Sequence, residues 1–411
     1  MCPRPVGSGK VGDVRALLLE NLHPTAGKIL TEAGFDVEEH SGALDEDELI
    51  AALEGVDLLG IRSKTEVTQR VLDARPDLTA IGAFCIGTNQ IDLARAATLG
   101  VATFNAPYSN TRSVVELAIA NIIAMARRLT ERDKALHAGV WDKSADGSHE
   151  IRGRSLGIVG YGNIGSQLSV VAEALGMRVY FYDVDDRLSL GNATRCSSLA
   201  ELLEVAETVT LHVDGREANA GVFGAAEFAM MRPRSLFLNL SRGFVVDYDA
   251  LRAALVSGHL AGAAVDVFPK EPKKRGDAFD SPLRNLPNVI LTPHVGGSTE
   301  EAQEDIGRFV GGKLRDYVRR GATSLSVNLP TLMPERTPHT QRITHLHQNV
   351  PGVLAALNDV LGRHAINIGY QSLATRGDLG YAVTDTDSPI PDAALSELGD
   401  IGGTVRLRVI S

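Results

Sequence analysis

Two hydrophobic rhythms run along the chain before a third replaces them. From Val14 onward, short apolar runs alternate with amphipathic stretches. VRALLLE, VDLLGIRS and LTAIGAF read as strands, and Pro24–Ala33 reads as a helix. That alternation predicts βαβ units and a parallel sheet flanked by helices. A long helix is predicted from just after Asn110–Thr111 to about Leu136. A second series follows, with apolar runs at Ser155–Val159, Arg178–Tyr182, Thr208–Val213, Ser235–Leu240, Ala261–Phe268 and Val289–Thr292. Runs that are apolar throughout, not at every second position, suit strands buried on both faces of a parallel sheet. Glu300–Arg320 reads as a helix, and Val327–Pro338, with its three prolines, as a linker.

After the linker the pattern changes. RITHLHQ, a helix from Pro351 to Arg363, INIGYQSLAT, LGYAVTDT, a helix near Pro391–Leu398 and TVRLRVI give the order β-α-β-β-α-β, a ferredoxin-like arrangement. In the last strand Val405, Leu407 and Val409 alternate with Arg406 and Arg408, which predicts one buried and one exposed sheet face.

Composition narrows the function classes. With 411 residues, and roughly 100–200 per domain, two or three domains are expected. A net charge of −10 argues against nucleic acid as a partner, because a uniformly acidic chain repels phosphate backbones. A small anionic substrate is still compatible with a few local Arg or Lys residues. Cys2, Cys85 and Cys196 are too few and too widely spaced for a disulfide framework or a metal site. Residues 1–12 read as a disordered leader without an apolar signal core. The apolar run Leu117–Ala126 is about half the ~20 residues a membrane span needs. No membrane association and a cytoplasmic location are the default expectations.

The chemistry begins at Gly160-Tyr161-Gly162-Asn163-Ile164-Gly165, a G-x-G-x-x-G after the strand LGIV and before the amphipathic stretch SQLSVVAEALG. In that context Gly160 permits the tight turn and Gly162 lets a pyrophosphate approach the backbone. Gly165 allows close helix–strand packing, and the helix N-terminus presents free N–H groups to the anion. Asp183 ends the next strand, where a carboxylate can accept hydrogen bonds from the adenosine ribose and repel the 2′-phosphate of NADP. The cofactor expected is NAD. A glycine turn in an unrelated α/β protein is the plainer alternative.

Three polar residues sit just past apolar strands: Arg242 after SLFLNL, Glu271 after AAVDVF and His294 after NVILT. Ligands of open α/β sheets bind outside the carboxyl ends of strands. Oxidation of a secondary alcohol needs a base near neutrality, which suits His294. A carboxylate such as Glu271 orients the imidazole and favours its protonated form. An arginine such as Arg242 binds a substrate carboxylate bidentately. Each has a bland reading beside this one: Arg242 and Glu271 as solvated loop charges, His294 as the cap of a turn.

The segments FNAPYSNTRSVVELAIANI, LGIVGYGNIGSQL, NLSRGFVVD, LAGAAVDVFPKEP and LTPHVGGSTEEAQ resemble the D-isomer-specific 2-hydroxyacid dehydrogenase family, and the likeness covers essentially the whole chain after the leader. It implies an α/β fold of two Rossmann-like doubly wound parallel-sheet domains, with a C-terminal ferredoxin-like ACT domain. The substrate domain would be 13–108 with 297–330, the NAD domain 109–296, and the ACT-like domain 339–411. Arg242, Glu271 and His294 match the family's catalytic trio. Asn163, Ile164, Leu240, Ser241, Asp266, Gly296 and Gly297 fall among its cofactor-binding positions, with Asp266 on the nicotinamide carboxamide. Arg62, Ser63 and Asn110 correspond to substrate-binding positions. Together with the C-terminal domain, the likeness points to the branch that oxidises 3-phospho-D-glycerate (3-phosphoglycerate) to 3-phosphohydroxypyruvate at the start of L-serine synthesis. His347, Asn349 and Asn367 would then hold L-serine as effector. A homotetramer is implied, with Trp141 and Lys143 reaching toward a neighbouring subunit.

The sequence departs from the family at Asp214, where relatives usually carry Pro, at Ser41 in place of a Lys, and in HQNVPG, which lacks the usual charges. Two alternatives remain open at this point: a dehydrogenase of another 2-hydroxy acid (glycerate or 2-hydroxyglutarate), and a non-catalytic NAD-sensing, corepressor-like protein.

Overall fold

The computed structural model describes residues 14–272, 276–335 and 341–410. They fall into two compact units. One is Asn110–Ala302; the other joins the described residues before Asn110 to those from Gln303 onward.

In the second of these, β1 (Arg15–Leu18), β2 (Asp36–Glu39), β3 (Leu58–Ile61), β4 (Ala80–Ala83) and β5 (Ala102–Asn105) form a parallel sheet in the order β2-β1-β3-β4-β5. Every residue of β3, β4 and β5 is buried, as their apolar character predicts. The edge strand β2 reads DVEE and is mostly exposed, so no apolar run announces it. The helix Glu300–Arg320 packs Ile306, Val310, Leu314 and Tyr317 against Ala80, Phe84 and Phe104.

The unit Asn110–Ala302 holds seven parallel strands: β6 (Ser155–Val159), β7 (Arg178–Tyr182), β8 (Thr194–Arg195), β9 (Thr208–Leu211), β10 (Ser235–Asn239), β11 (Leu260–Val265) and β12 (Val289–Leu291). Their order is β12-β11-β10-β9-β6-β7-β8, a doubly wound sheet that reverses direction beside β6. Such a reversal opens a crevice at the carboxyl ends of the strands.

The single long helix predicted after Thr111 is two helices, Thr111–Ala126 and Leu129–His137. Between them Arg128 takes a left-handed conformation at φ 51°, which costs roughly 1–2 kcal/mol. The first helix buries Val114, Val115, Ala118, Ile122 and Met125, whereas the second buries nothing. The chain turns where its core contact ends, and Arg128 pairs with Glu131 at 2.7 Å to hold the turn.

The C-terminal strands β13 (Gln341–Gln348), β14 (Ile368–Arg376), β15 (Leu379–Thr386) and β16 (Thr404–Ile410) form an antiparallel sheet in the order β14-β15-β13-β16. Helices Val353–Arg363 and Asp392–Gly399 cover one face through Ile343, Leu357, Leu361, Leu398 and Leu407. The other face is not exposed, contrary to the alternation in β16. Leu346, Tyr381 and Val383 join one apolar cluster with Ala102, Phe104 and Tyr317. Arg406 is only 8% exposed and donates to the carbonyls of Pro76 and Leu78 at 2.5 and 2.6 Å. Arg408 lies 4.5 Å over the Tyr317 ring. The alternating arginines thus satisfy buried carbonyls and an aromatic face instead of meeting water.

The segment read as a linker is tethered at its start. The Asn328 side chain accepts from the N–H of Thr103 at 2.9 Å and donates to the carbonyl of Val101 at 2.8 Å, and Leu329 is fully buried. These contacts occupy backbone groups along β5 that an open sheet edge leaves unpaired. The end of the predicted linker, 336–338, lies outside the described residues. No helix among the described residues is long and apolar enough to cross a membrane.

Arg342 locks the C-terminal sheet to this segment. Its guanidinium makes two bonds to Asp385, at 2.6 and 2.7 Å, and donates to the carbonyls of Arg320 and Glu335. Both side chains are buried, at 6% and 0% exposure. Arg342→Met removes the cation and leaves the Asp385 carboxylate buried without it, at a cost of about 3–5 kcal/mol. Equilibrium urea unfolding should show a correspondingly earlier first transition; a shift worth less than about 1 kcal/mol would place the stability of this junction elsewhere.

Candidate active site

β6 is buried at every position and delivers the chain into the glycine turn. Gly160 has φ 91°, and a Cβ there would lie 2.6 Å from the carbonyl oxygen of His212. A Cβ on Gly165 would lie 2.2 Å from the carbonyl oxygen of Gly160. Neither position accepts a side chain. Gly162, by contrast, faces open space and precedes the helix Asn163–Ala174, whose N-terminus carries no side-chain cap. Asn163 and Ile164 are that helix's first two residues. The turn therefore leaves backbone N–H groups and free volume where a pyrophosphate would sit.

Asp183 follows β7, and its side chain is 9% exposed. One carboxylate oxygen accepts from the N–H of Tyr161 at 2.7 Å, the other from the N–H of Asp185 at 2.9 Å. It borders an open cavity of about 410 Å³ lined with Tyr182, Val184, Arg195, Cys196 and Ser197. The sequence pattern singled out none of those five, because cavity walls carry no motif. Arg187 and Arg195, cations that could otherwise attract a phosphate, are paired with Asp185 and Asp186. These residues fit a dinucleotide whose adenosine ribose bonds the remaining acceptor capacity of Asp183.

Past β10, β11 and β12 the structure brings Arg242, Glu271 and His294 into one region of the same unit. His294 Nδ1 meets Glu271 Oε2 at 2.8 Å, which leaves Nε2 available. The second Glu271 oxygen accepts from the N–H of Phe268 at 3.0 Å. The hydrogen bond and charge of Glu271 raise the His294 pKa, aided by Asp266 and opposed by burial and by Arg242. Burial works against ionisation of Glu271, but hydrogen bonds from His294 and Phe268 and the nearby cations outweigh it and lower its pKa. Arg242 is half-buried and donates to the Ser241 carbonyl at 2.8 Å.

Asp266 is 2% exposed and organises the His294 turn. Its carboxylate accepts from Thr292 Oγ1 at 2.6 Å and from the N–H groups of Val295 and Gly296 at 2.9 and 2.8 Å. Its carbonyl accepts from the His294 N–H at 2.8 Å. The turn needs this support because His294 itself sits at φ 53°, a conformation that a non-glycine residue rarely adopts. Leu240 and Ser241 are buried at the end of β10, and Gly296 and Gly297 continue the His294 turn. A Cβ on Gly297 would strike Asn110, whose buried Oδ1 has no hydrogen-bond partner. Asp214, the departure after β9, makes a two-pronged pair with Arg216, with contacts of 2.6 to 2.9 Å that staple its loop.

Arg62 and Ser63 belong to the other compact unit. There the buried carboxylate of Glu20, a residue the sequence pattern did not flag, accepts from the N–H groups of Arg62, Lys64 and Thr65 at 3.2, 3.1 and 2.8 Å. In the C-terminal sheet His347 is 4% exposed, while Asn349 and Asn367 lie on the surface. Asn349 donates to the Gly377 carbonyl at 3.2 Å. Trp141 is 80% exposed and Lys143 is exposed. Among the described residues no cluster of His, Cys, Asp and Glu could hold a metal.

Residues 119–296 match the model of the D-isomer specific 2-hydroxyacid dehydrogenase NAD-binding domain. The chain is 47% identical over 401 residues to a D-3-phosphoglycerate dehydrogenase of Escherichia coli, covering 97% of both chains. It is 45% identical over 406 residues to one from Dictyostelium discoideum, covering 99% of both. The chain belongs to the D-3-phosphoglycerate dehydrogenase branch of the D-isomer-specific 2-hydroxyacid dehydrogenase family. Among solved structures it resembles a D-lactate dehydrogenase from Aquifex aeolicus, determined with NAD and lactic acid, at TM-score 0.65 and 25% identity, covering 74% of this chain and 95% of that one. The family membership makes this chain an NAD-dependent dehydrogenase and NAD its cofactor.

Asp183→Ala removes a carboxylate that would accept from the adenosine ribose and repel a 2′-phosphate. The ratio of kcat/KM with NADH to that with NADPH should fall by about tenfold or more. An unchanged ratio would assign cofactor choice to other residues.

Proposed function

We propose that the chain oxidises 3-phospho-D-glycerate to 3-phosphohydroxypyruvate with NAD, the opening step of L-serine synthesis. The substrate is supported by full-length likeness to chains named for that reaction. One observation carries the reaction type: the 2.8 Å bond between His294 and Glu271, with Arg242 in the same region.

In this reading His294 Nε2 takes the proton of the C2 hydroxyl. Glu271 holds the ring through Nδ1 and offsets the positive charge that results. NAD, when bound, supplies the acceptor for the hydride that leaves C2. Arg242 grips the substrate carboxylate through paired N–H groups and draws on the C2 oxygen as it becomes a carbonyl. In the reverse direction His294 must begin protonated, and its raised pKa extends that state toward higher pH. Gly160, Gly162, Asn163, Ile164 and Gly165 receive the pyrophosphate, and Asp183 the ribose. Leu240, Ser241, Asp266, Gly296 and Gly297 line the nicotinamide end, while Arg62, Ser63 and Asn110 hold the substrate's anionic groups.

The same reading assigns substrate binding to 13–108 with 297–330, NAD binding to 109–296 and an ACT-like regulatory module to 339–411. L-Serine is the effector, held by His347, Asn349 and Asn367 beside the helix Val353–Arg363. The assembly is a cytoplasmic homotetramer. Leu129, Leu136, Val140 and Trp141 are exposed apolar side chains close together in the sequence, which suits a subunit contact.

A steady-state assay tests this reading. With NADH, 3-phosphohydroxypyruvate should exceed 2-oxoglutarate in kcat/KM by about tenfold or more, because a site built to pair a phosphate rejects acids that lack one. Millimolar L-serine should slow turnover, and calorimetry should detect its binding. Equal use of 2-oxoglutarate would reassign the substrate. Absence of both heat and inhibition would reduce the C-terminal module to an assembly element.

A further inference from the structure

Beneath Arg242, Glu271 and His294 lies a hydrogen-bonded layer that the reaction scheme leaves unused. Asn239, the fully buried last residue of β10, donates to the Arg242 carbonyl at 3.0 Å and to the Tyr248 hydroxyl at 3.3 Å. Its Oδ1 accepts from the N–H and Oγ of Ser241 at 3.1 and 2.8 Å. The amide is thereby committed to the turn that carries Arg242.

Tyr248 is the first residue of the helix Tyr248–Val256 and is 6% exposed. Its hydroxyl donates to the Val267 carbonyl at 2.5 Å. The next residue, Phe268, donates its N–H to Glu271. The two loops also meet directly. A Cβ on Gly243 would lie 2.0 Å from the carbonyl carbon of Phe268, so only glycine allows this approach. Hydrogen bonds therefore run from the Arg242 carbonyl through Asn239 and Tyr248 to the segment that presents Glu271, and from Glu271 to His294.

We propose that Tyr248 is a positioning residue of the dehydrogenase reaction, whose hydroxyl, bridging Asn239 and the Val267 carbonyl, fixes the Arg242 turn relative to the Glu271–His294 pair. The inference rests on the roles given above to those three residues. Packing alone does not call for the hydroxyl. The ring touches Phe268, with centroids 6.1 Å apart, and belongs to an apolar cluster that a phenylalanine would complete equally well. The hydroxyl adds a rigid strut with a donor at one end of a buried network. Burial keeps it protonated, and the Glu271 charge acts in the same direction, so the donor role persists at every working pH.

Tyr248→Phe keeps the ring and removes the strut. The buried Val267 carbonyl and one Asn239 N–H then lose a partner, and the loops shift to recover one. Small displacements of reacting groups are costly, up to about a hundredfold for an ångström. A fall of about tenfold in kcat for 3-phosphohydroxypyruvate reduction is expected, with KM for NADH within about twofold of wild type.

A second readout needs no substrate. Diethyl pyrocarbonate modifies neutral imidazole, and mass spectrometry of the His294 peptide gives its pH midpoint. The charged groups facing His294 are Glu271, Asp266 and Arg242. With Glu271 less firmly held, the midpoint should move to lower pH. Wild-type turnover and midpoint in Tyr248→Phe would overturn the proposal. Reduced turnover with a wild-type midpoint would also overturn it, since that is the mark of a merely structural tyrosine. If the wild-type protein prefers another 2-oxo acid, the substrate assignment fails on its own, and the His294 midpoint still decides the role of Tyr248.

Discussion

A neutral imidazole and a free carboxylate are ordinary groups; the 2.8 Å bond between His294 and Glu271 makes them a unit that holds or releases one proton. The rest of the unit Asn110–Ala302 is arranged so that this bond forms. Glu271 and His294 come from loops that follow the adjacent strands β11 and β12. Asp266 gathers the backbone of the His294 turn with both carboxylate oxygens, which offsets the unfavourable left-handed conformation of His294. Phe268 orients Glu271 from below, and Asn239 with Tyr248 ties that segment to the Arg242 turn. The charges work together as well. Glu271 and Asp266 favour the protonated histidine, while Arg242 opposes them.

Much of this was legible in the chain. Six strands of the seven-stranded sheet announce themselves as apolar runs because a doubly wound parallel sheet is covered on both faces. The glycine turn was legible because Gly160 and Gly165 occupy places where a Cβ would strike backbone, so the motif records geometry directly. Arg242, Glu271 and His294 could be picked out as candidates because each follows a strand end. Elements that bury little left no trace. β2 reads DVEE at an exposed edge, and β8 has two residues.

Other features depend on tertiary contacts that no periodicity encodes. Arg128 breaks the predicted long helix because core contact stops at Ala126, although Leu129–His137 is itself helical. Arg406 and Arg408 read as a solvated strand face until the carbonyls of Pro76 and Leu78 and the ring of Tyr317 are placed opposite them. Glu20 and Asn239 have the same character. Each is a polar residue whose value lies in the backbone groups it satisfies, and those groups come from distant or turn segments.

The central claim is that Glu271 sets the protonation state of His294. Its most direct test is the pH dependence of kcat/KM for reduction of 3-phosphohydroxypyruvate by NADH, compared between wild type and Glu271→Gln. In the proposed scheme reduction needs protonated His294, and the carboxylate raises the pKa of that group, so activity should be lost as pH rises through it. Glutamine keeps the shape and removes the charge. The account predicts that the alkaline limb moves to lower pH. An alkaline limb at the same pH in both proteins would contradict it.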